Sequence, residues 1–459
     1  MSKRDSEFMY MELAAMIRTQ ILSGVIKPGE FLMSEHDMCN KYMMSRTPVR
    51  NALKQLALEG LITKIQGRGT MVSTALDLED DSSTLIIASP YPSSFTRRSL
   101  PLLIRSFHER HPDIRVKVIS IPSDMNKDVY SRQFVSVGVH PDLIVVQDRD
   151  FQHLKQLDDF ENVIDMGIEL PAIHPTLLRC FQVDGRQLGV PLTFSPVVMM
   201  HNPELFERYG LTPPARDWSR EQFARSAIAL TRDLDQDGII DLYGAAIHSL
   251  ITRWPALVLP EWRQFRQTRS PEDRLSLIRR FDEIRAWIYR DRLAPVFALN
   301  DEMLALELFV EGKVGMNMTT LLGFDDAWDY PLTSIPGSNS GLLIANGMLV
   351  TRASRKKKEA KLFLELLLDR EVQLRVSETS GLLSPLSGVN QSIRGEERME
   401  AIGADDRTLD QSLYIHDLLP DPEAVHELYG RMKHYWSGME TAEAMLERIS
   451  DLMEPIAVH

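Results

Sequence analysis

Asp233-Leu234-Asp235-Gln236-Asp237-Gly238-Ile239-Ile240-Asp241 places carboxylates at positions 1, 3, 5 and 9 of a loop. Glycine at position 6 supplies the turn and the Ile239 carbonyl falls at position 7, so Asp233, Asp235, Asp237, Ile239 and Asp241 reproduce most of the ligand arithmetic of a calcium loop. Position 12 is Gly244 rather than the bidentate Glu that would complete it. An Asp-rich turn, in which short carboxylates accept from nearby backbone N–H groups, explains the same residues. Both readings stand at this level. The second chemical set is basic. Arg46, Arg50 and Lys54 are spaced i, i+4, i+8 and share one face of a helix, flanked by the short hydrogen-bonding side chains of Thr47 and Asn51. Basic and polar groups near a helix N-terminus suit the DNA major groove, and a solvated amphipathic helix is the plain alternative. For catalysis no set forms. His108 and His111 are three apart without a third ligand, and no nucleophile elbow is present.

The elements that would position the basic row are legible around it. Ser45 is a helix N-cap type and Pro48 fits only a first turn, while Val49, Ala52, Leu53 and Leu56 make the buried stripe of the same helix. Before it, Leu13, Met16, Ile17, Ile21 and Leu22 form one apolar face of a helix ending at Gly24, and Ser34-Glu35-His36-Asp37 opens a short second helix. After it, the β-branched runs 61–65 and 70–73 flank Gln66-Gly67-Arg68-Gly69, which predicts a hairpin. Three helices and a hairpin make a winged helix-turn-helix.

The order Ile21-Leu22-Ser23-Gly24, Lys27-Pro28-Gly29, Ser34-Glu35, Ser45-Arg46-Thr47-Pro48-Val49-Arg50, Glu59-Gly60-Leu61-Ile62 and Gly67-Arg68-Gly69-Thr70 resembles the GntR family of bacterial transcription regulators. Carried over by position, the resemblance implies operator contacts from His36, Arg46, Thr47, Arg50, Gly67 and Arg68. His36 stands where the family usually has arginine, so a phosphate or base contact there would be weaker or pH-dependent.

Residues 77–83, Asp-Leu-Glu-Asp-Asp-Ser-Ser, read as an acidic linker. Beyond it, a strand at 85–88, a helix at 99–109, a strand at 115–120, a helix at 127–137 and a buried strand at 143–146 alternate as in parallel α/β architecture. No Gly-rich phosphate loop follows these strands. Asp184-Gly185-Arg186-Gln187-Leu188-Gly189-Val190-Pro191, then Met200-His201-Asn202-Pro203-Glu204-Leu205-Phe206, Phe309-Val310-Glu311-Gly312-Lys313-Val314-Gly315 and Ser380-Gly381-Leu382-Leu383-Ser384-Pro385 resemble, in this order, the extracellular solute-binding proteins (family 1) that feed sugar transporters. The resemblance implies two α/β lobes closing on a solute, and some relatives hold a structural calcium in a loop comparable to 233–241.

In such a body the sparse aromatics in loops become candidates for sugar contact, because aromatic faces pack on sugar C–H surfaces and carboxylates orient hydroxyls. They are Tyr91, Phe194, Trp254, Phe324, Trp328 and Tyr330, with Asp148 at the C-terminal end of a buried strand. Each aromatic could equally be core. Trp218 is set aside, since Ser219 and Gln222 form a capping box beside it.

Composition bounds the rest. The 459 residues exceed a single core, and 44% hydrophobic with 25% charged residues is ordinary for a globular protein. Net charge is −13 but uneven: residues 1–75 hold ten Lys/Arg and seven Asp/Glu, the remainder 42 and 58. Only the N-terminal part suits a polyanion. The two cysteines, Cys39 and Cys180, are far apart, which argues for a reducing compartment. No signal peptide, lipid-attachment cysteine or membrane span is visible, so the expected location is cytoplasmic. The run Arg355-Lys356-Lys357-Lys358 reads as a solvated face leading into a helix.

The expectation is an α/β chain with an N-terminal winged helix-turn-helix (1–76), a linker (77–83) and a two-lobed periplasmic-binding-protein-like (type II) domain (84–459). It is a ligand-responsive DNA-binding transcription regulator and no enzyme. Its partners are operator DNA and a small-molecule effector, most simply a carbohydrate. It works as a homodimer, away from membranes, with no required cofactor and structural calcium as an option. The alternative is a DNA-binding head fused to a pyridoxal-phosphate aminotransferase-like domain, which needs a Schiff-base lysine. A shorter repressor-type sensor related to ribose-binding proteins would not fill the chain.

Overall fold

The computed structural model describes residues 13–453 except 15, 19, 22–25, 43–45, 59–60, 66–67, 74–83, 92, 123–140, 155–156, 171–172, 248–252, 297–301, 324–326, 339–340 and 420. The expectations at Ser45, Gly67, Phe324, the linker 77–83 and the helix 127–137 lie outside the described residues. The chain divides into two compact units, one of Met1–Val146, Leu154–Ile168 and Met348–Leu366, the other of Gln147–His153, Glu169–Gly347 and Leu367–His459.

The first unit begins with the predicted winged helix. Helices Glu35–Lys41 and Arg46–Leu58 precede the antiparallel pair Ile62–Ile65 and Gly69–Val72, in register from Ile62↔Val72 to Ile65↔Gly69. Ser34 caps the first of these helices by accepting from the Asp37 N–H at 3.1 Å. Val49, Ala52, Leu53 and Leu56 are buried with Leu13, Ile17, Ile21, Met38 and Val72 in one cluster, the stripe expected from helical spacing. The segment after the Lys27-Pro28-Gly29 turn adds a third partner to the wing: Phe31 bridges Met71, and the Leu32 N–H donates to the Thr70 carbonyl at 2.8 Å. Such pairing joins residues too distant in sequence for a turn signal to announce.

In the rest of this unit, strand Thr84–Tyr91 pairs in parallel with Arg115–Pro122 over its full length and with Leu143–Gln147 on its other side. Helix Leu100–Arg110 buries Leu103 and Phe107, whose ring meets Phe363 edge-on at 5.1 Å. Lys356 is buried and donates its Nζ proton to the Thr84 carbonyl at 2.6 Å, and Lys357 pairs with Glu161.

The second unit carries a mixed sheet in the order Tyr243–Ala246, Val314–Thr319, Val198–His201, Leu332–Thr333. The first pair is parallel and the others antiparallel, so the parallel expectation is met by the two pairings of Thr84–Tyr91 and not by this sheet as a whole. The core is aromatic: Trp254 lies 5.4 Å from Trp262, 5.6 Å from Phe281 and 5.8 Å from Trp436. Helix Arg220–Leu230 starts at the predicted capping box, with Ser219 Oγ accepting from the Gln222 N–H at 3.2 Å and Gln222 Oε1 accepting from the Ser219 N–H at 2.6 Å. Trp218 anchors that start, its indole N–H donating to the Ser334 carbonyl at 3.0 Å.

Candidate functional site

On the head, Arg46, Thr47, Arg50, Asn51 and Lys54 are all exposed along one side of helix Arg46–Leu58, opposite its buried stripe. His36 is exposed on the preceding helix and Arg68 at the turn of the wing. The structure therefore presents these side chains on exposed positions of three neighbouring elements. It also gives Arg50 a partner that spacing could not reveal. Arg50 Nε lies 2.8 Å from Glu35 Oε2, and Lys64 Nζ, from the first wing strand, lies 3.4 Å from Glu35 Oε1. The Arg50 hydrogen bond holds the Glu35 carboxyl below its ordinary range, against an opposing desolvation and with help from the Arg50 charge and from Lys64. Glu35 thus contacts both helix Arg46–Leu58 and the first wing strand, a link the Ser34-Glu35 pair signalled only as a helix start.

The Asp-rich loop is closed by its own carboxylates. Asp233 Oδ2 accepts from the Gly238 N–H at 2.8 Å, Asp235 Oδ1 from Asp237 at 3.2 Å, Asp237 Oδ1 from Ile239 at 2.8 Å, and Asp241 Oδ2 from Leu234 at 2.7 Å. At the same time one oxygen each of Asp233, Asp235 and Asp237 lie within 4.8 Å of one another. Asp233 Oδ1 is buried with no hydrogen-bond partner, and the Ile239 side chain is exposed. The missing twelfth ligand has a steric cause: a Cβ at Gly244 would stand 1.9 Å from the Ala227 carbonyl oxygen, because this strand packs directly on helix Arg220–Leu230. The donor set fits a hard cation bound through oxygen, short of one bidentate carboxylate.

The candidate solute contacts differ in burial and partners. Trp254 is 1% exposed and wholly engaged in the aromatic core, which removes it from any surface a solute could reach. Loop-like flanks suggested otherwise, but three surrounding rings occupy its faces and edges. Phe194 is buried and its backbone bridges Leu383. Tyr330 is half-buried, edge-on to Phe309 at 4.8 Å. Trp328 is half-buried, with its indole N–H donating to the Gly381 carbonyl at 2.7 Å and the guanidiniums of Arg394 and Arg398 over its ring at 4.1 and 4.8 Å. Tyr91 ends strand Thr84–Tyr91 in the first unit.

Asp148 follows its strand as expected and is fully buried, accepting from the Ala345 N–H at 3.0 Å. Burial raises its carboxyl pKa to about 7, opposed by that hydrogen bond and by the Arg149 charge. Polar groups inside the second unit were missed. Ser195 Oγ accepts from the Leu321 N–H at 2.9 Å, and Asn317 is fully buried with neither amide atom hydrogen-bonded. The sequence signal was an Asn between Met316 and Met318 in the strand Val314–Thr319.

A winged-helix head with an exposed basic face, followed by α/β units carrying parallel and mixed sheets, defines a DNA-binding module joined to a solute-binding body. The match to the family described as bacterial extracellular solute-binding protein covers residues 92–374, more than half of the chain, and residues 9–72 match bacterial regulatory proteins, gntR family. The chain belongs to the bacterial extracellular solute-binding protein family, with a gntR-family head. Its body is therefore not the aminotransferase-like domain of the alternative expectation, and buried Lys356 is engaged by a backbone carbonyl.

Among curated proteins, the chain is 28% identical over 191 residues to the arabinose metabolism transcriptional repressor of Geobacillus stearothermophilus, covering 40% of this chain and 52% of that one. It is 41% identical over 64 residues to the mannosyl-D-glycerate transport/metabolism system repressor MngR of Escherichia coli, covering 14% of this chain and 27% of that one. The chain thus spans about half or less of the length of these relatives. Among solved structures, the GacH receptor of Streptomyces glaucescens aligns at 14% identity and TM-score 0.65 over 80% of this chain and 96% of that one. The maltose-maltodextrin binding protein of Alicyclobacillus acidocaldarius aligns at 13% identity and TM-score 0.61 over 80% and 100%. These likenesses establish the fold. No described helix is long and apolar enough to cross a membrane.

Proposed function

We propose that this chain is a ligand-responsive transcription regulator that senses a carbohydrate in the cytoplasm and transmits its binding to operator DNA. The observation that carries this reading is the union, in one chain, of a gntR-type head and a solute-binding body. A head of this kind works only where DNA is, so the body acts as a sensor rather than as a delivery component. The carbohydrate class is supported by an arabinose metabolism transcriptional repressor among the relatives, and by a receptor solved with acarbose and a maltose-maltodextrin binding protein among the structural neighbours. The regulator works as a homodimer whose heads meet two half-sites about one helical turn apart. Closure of the body on its solute changes how the heads are presented, by the difference in ligand affinity between open and closed states.

The test is operator binding by the full-length protein with and without a panel of mono- and oligosaccharides. A hit in a thermal-shift screen that also changes operator affinity supports the reading; an operator affinity indifferent to every sugar that binds overturns it.

The Asp233–Asp241 loop is proposed as a structural calcium site in which Asp233, Asp235, Asp237 and the Ile239 carbonyl hold the ion, with Asp241 bracing the loop through Leu234. Its support is the convergence of three carboxylates and the unpaired Asp233 oxygen. Millimolar calcium should raise the melting temperature, and Asp235→Asn should abolish that rise. An unchanged melting curve would leave only the Asx-bonded turn.

A further inference from the structure

Building on the carbohydrate-sensor reading, we propose that Trp328, Arg394 and Arg398 form a cationic shelf in the second unit for an anionic group, carboxylate or phosphate, carried by the carbohydrate effector. Trp328 lies in the turn Ala327–Asp329, and its N–H bond to the Gly381 carbonyl at 2.7 Å fixes the plane of the indole. Arg394 is the last residue of helix Val389–Arg394, and Arg398 belongs to the next helix, Glu396–Ala401. Gly395, at φ +85°, makes the reversal that brings both arginines to one ring.

The guanidinium carbons stand 4.1 and 4.8 Å from the ring centroid. The negative face of an indole attracts and holds a guanidinium there. Arg394 also donates to the Ser377 carbonyl at 3.4 Å, so it supplies charge beside the ring, whereas Arg398 presents the planar N–H fork that meets a carboxylate or phosphate two bonds at a time and loses less side-chain freedom on binding for being held on the indole. Arg398 is exposed, forms no ion pair among the described residues, and uses one donor on the Trp328 carbonyl at 3.0 Å. Its exposure leaves its other N–H donors within reach of a ligand.

Two consequences follow for specificity. With guanidiniums over its ring, Trp328 does not offer a bare face for a neutral sugar to stack on. The rest of the chain beyond residue 75 carries 42 basic and 58 acidic residues, so it provides no general attraction for anions. Selection of an anionic sugar has to arise from this local pair, and the contact should be short-range and bidentate.

The experiment titrates the full-length protein with neutral mono- and oligosaccharides, with their 6-phosphate and uronate counterparts, and with inorganic phosphate alone, by calorimetry and thermal shift. The expected result is that a charged sugar binds at least tenfold more tightly than its neutral parent. Arg398→Gln should remove that preference while leaving the neutral parent's weak binding in place, and Arg398→Lys should restore only part of it. Preference for the 6-phosphate or for the uronate assigns the group. If Arg398→Gln lowers the melting temperature but leaves the preference intact, the pair is a structural clamp and the shelf is overturned. Tight binding of a neutral sugar with no gain from charge also overturns the shelf, and the sensor reading survives. Failure of every carbohydrate, charged or neutral, to bind overturns both.

Discussion

Arg46 and Arg50 share an exposed helix face, yet in the proposed operator complex they would start from different states. Arg46 is exposed at the helix start, whereas Arg50 must exchange or share its Glu35 contact when it meets DNA. Arg46→Ala should weaken operator binding by about 1–3 kcal/mol if it reads a base, with loss of discrimination at that position. Glu35→Gln should release Arg50 and Lys64, raise non-specific affinity and steepen the log–log salt slope by about one phosphate contact, read by anisotropy titrations between low and moderate salt.

Two buried groups of the second unit impose opposite pH dependences. The Asp148 pKa is raised by burial to about 7, so between the unfolded carboxylate value and pH 7 the native state holds a proton the unfolded state has lost. Stability then falls as pH rises, by up to about 1.4 kcal/mol per unit. The His201 pKa is lowered by burial to about 4, so between there and its unfolded value the unfolded state holds the extra proton, and stability rises with pH. The two oppose each other between about pH 4 and 6.5. Asp148→Asn should expose the rising limb and His201→Gln the falling one, measured by denaturant melts across that range. Neither effect was legible in the sequence, because burial, not residue type, sets both.

At the element scale, the packing of strand Tyr243–Ala246 on helix Arg220–Leu230 explains both a stability constraint and the incomplete Asp-rich loop. Gly244 lets the backbones meet, and Gly315 on the neighbouring strand does the same toward Leu230. Gly244→Ala has no room and should cost about 1–3 kcal/mol or more, visible as a lower denaturation midpoint without altered operator contacts in the folded protein. The helices and strands themselves were mostly legible. Helical spacing gave the buried stripe of Arg46–Leu58, the capping box gave the start of Arg220–Leu230, and the strand at 143–146 extends only to Gln147. The third strand-like segment of the wing, at Phe31 and Leu32, was not legible, since its pairing with residues 70–72 joins segments with two helices between them.

At the scale of the whole molecule, the proposed switch makes a quantitative demand. A ligand at a hundred times its Kd should stabilise the protein by about 2.7 kcal/mol. Coupling to DNA of the usual 1–3 kcal/mol would change operator affinity roughly 5- to 150-fold. By reciprocity, operator DNA should shift sugar affinity by the same factor, which titrations of the full-length protein with and without operator can check. The order of local motifs, from Ser34-Glu35 through Gly67-Arg68-Gly69 to the distant Ser380-Gly381-Leu382, determined the class of protein and its two-part organisation, because each motif records a backbone or capping requirement satisfied by near neighbours. The tertiary structure alone decided which chemical side chains remain available. It took Trp254 into the core, tied Arg50 to Glu35, buried Asp148 and placed two arginines on Trp328. Availability depends on what packs against a residue from elsewhere in the chain, and spacing carries no record of that.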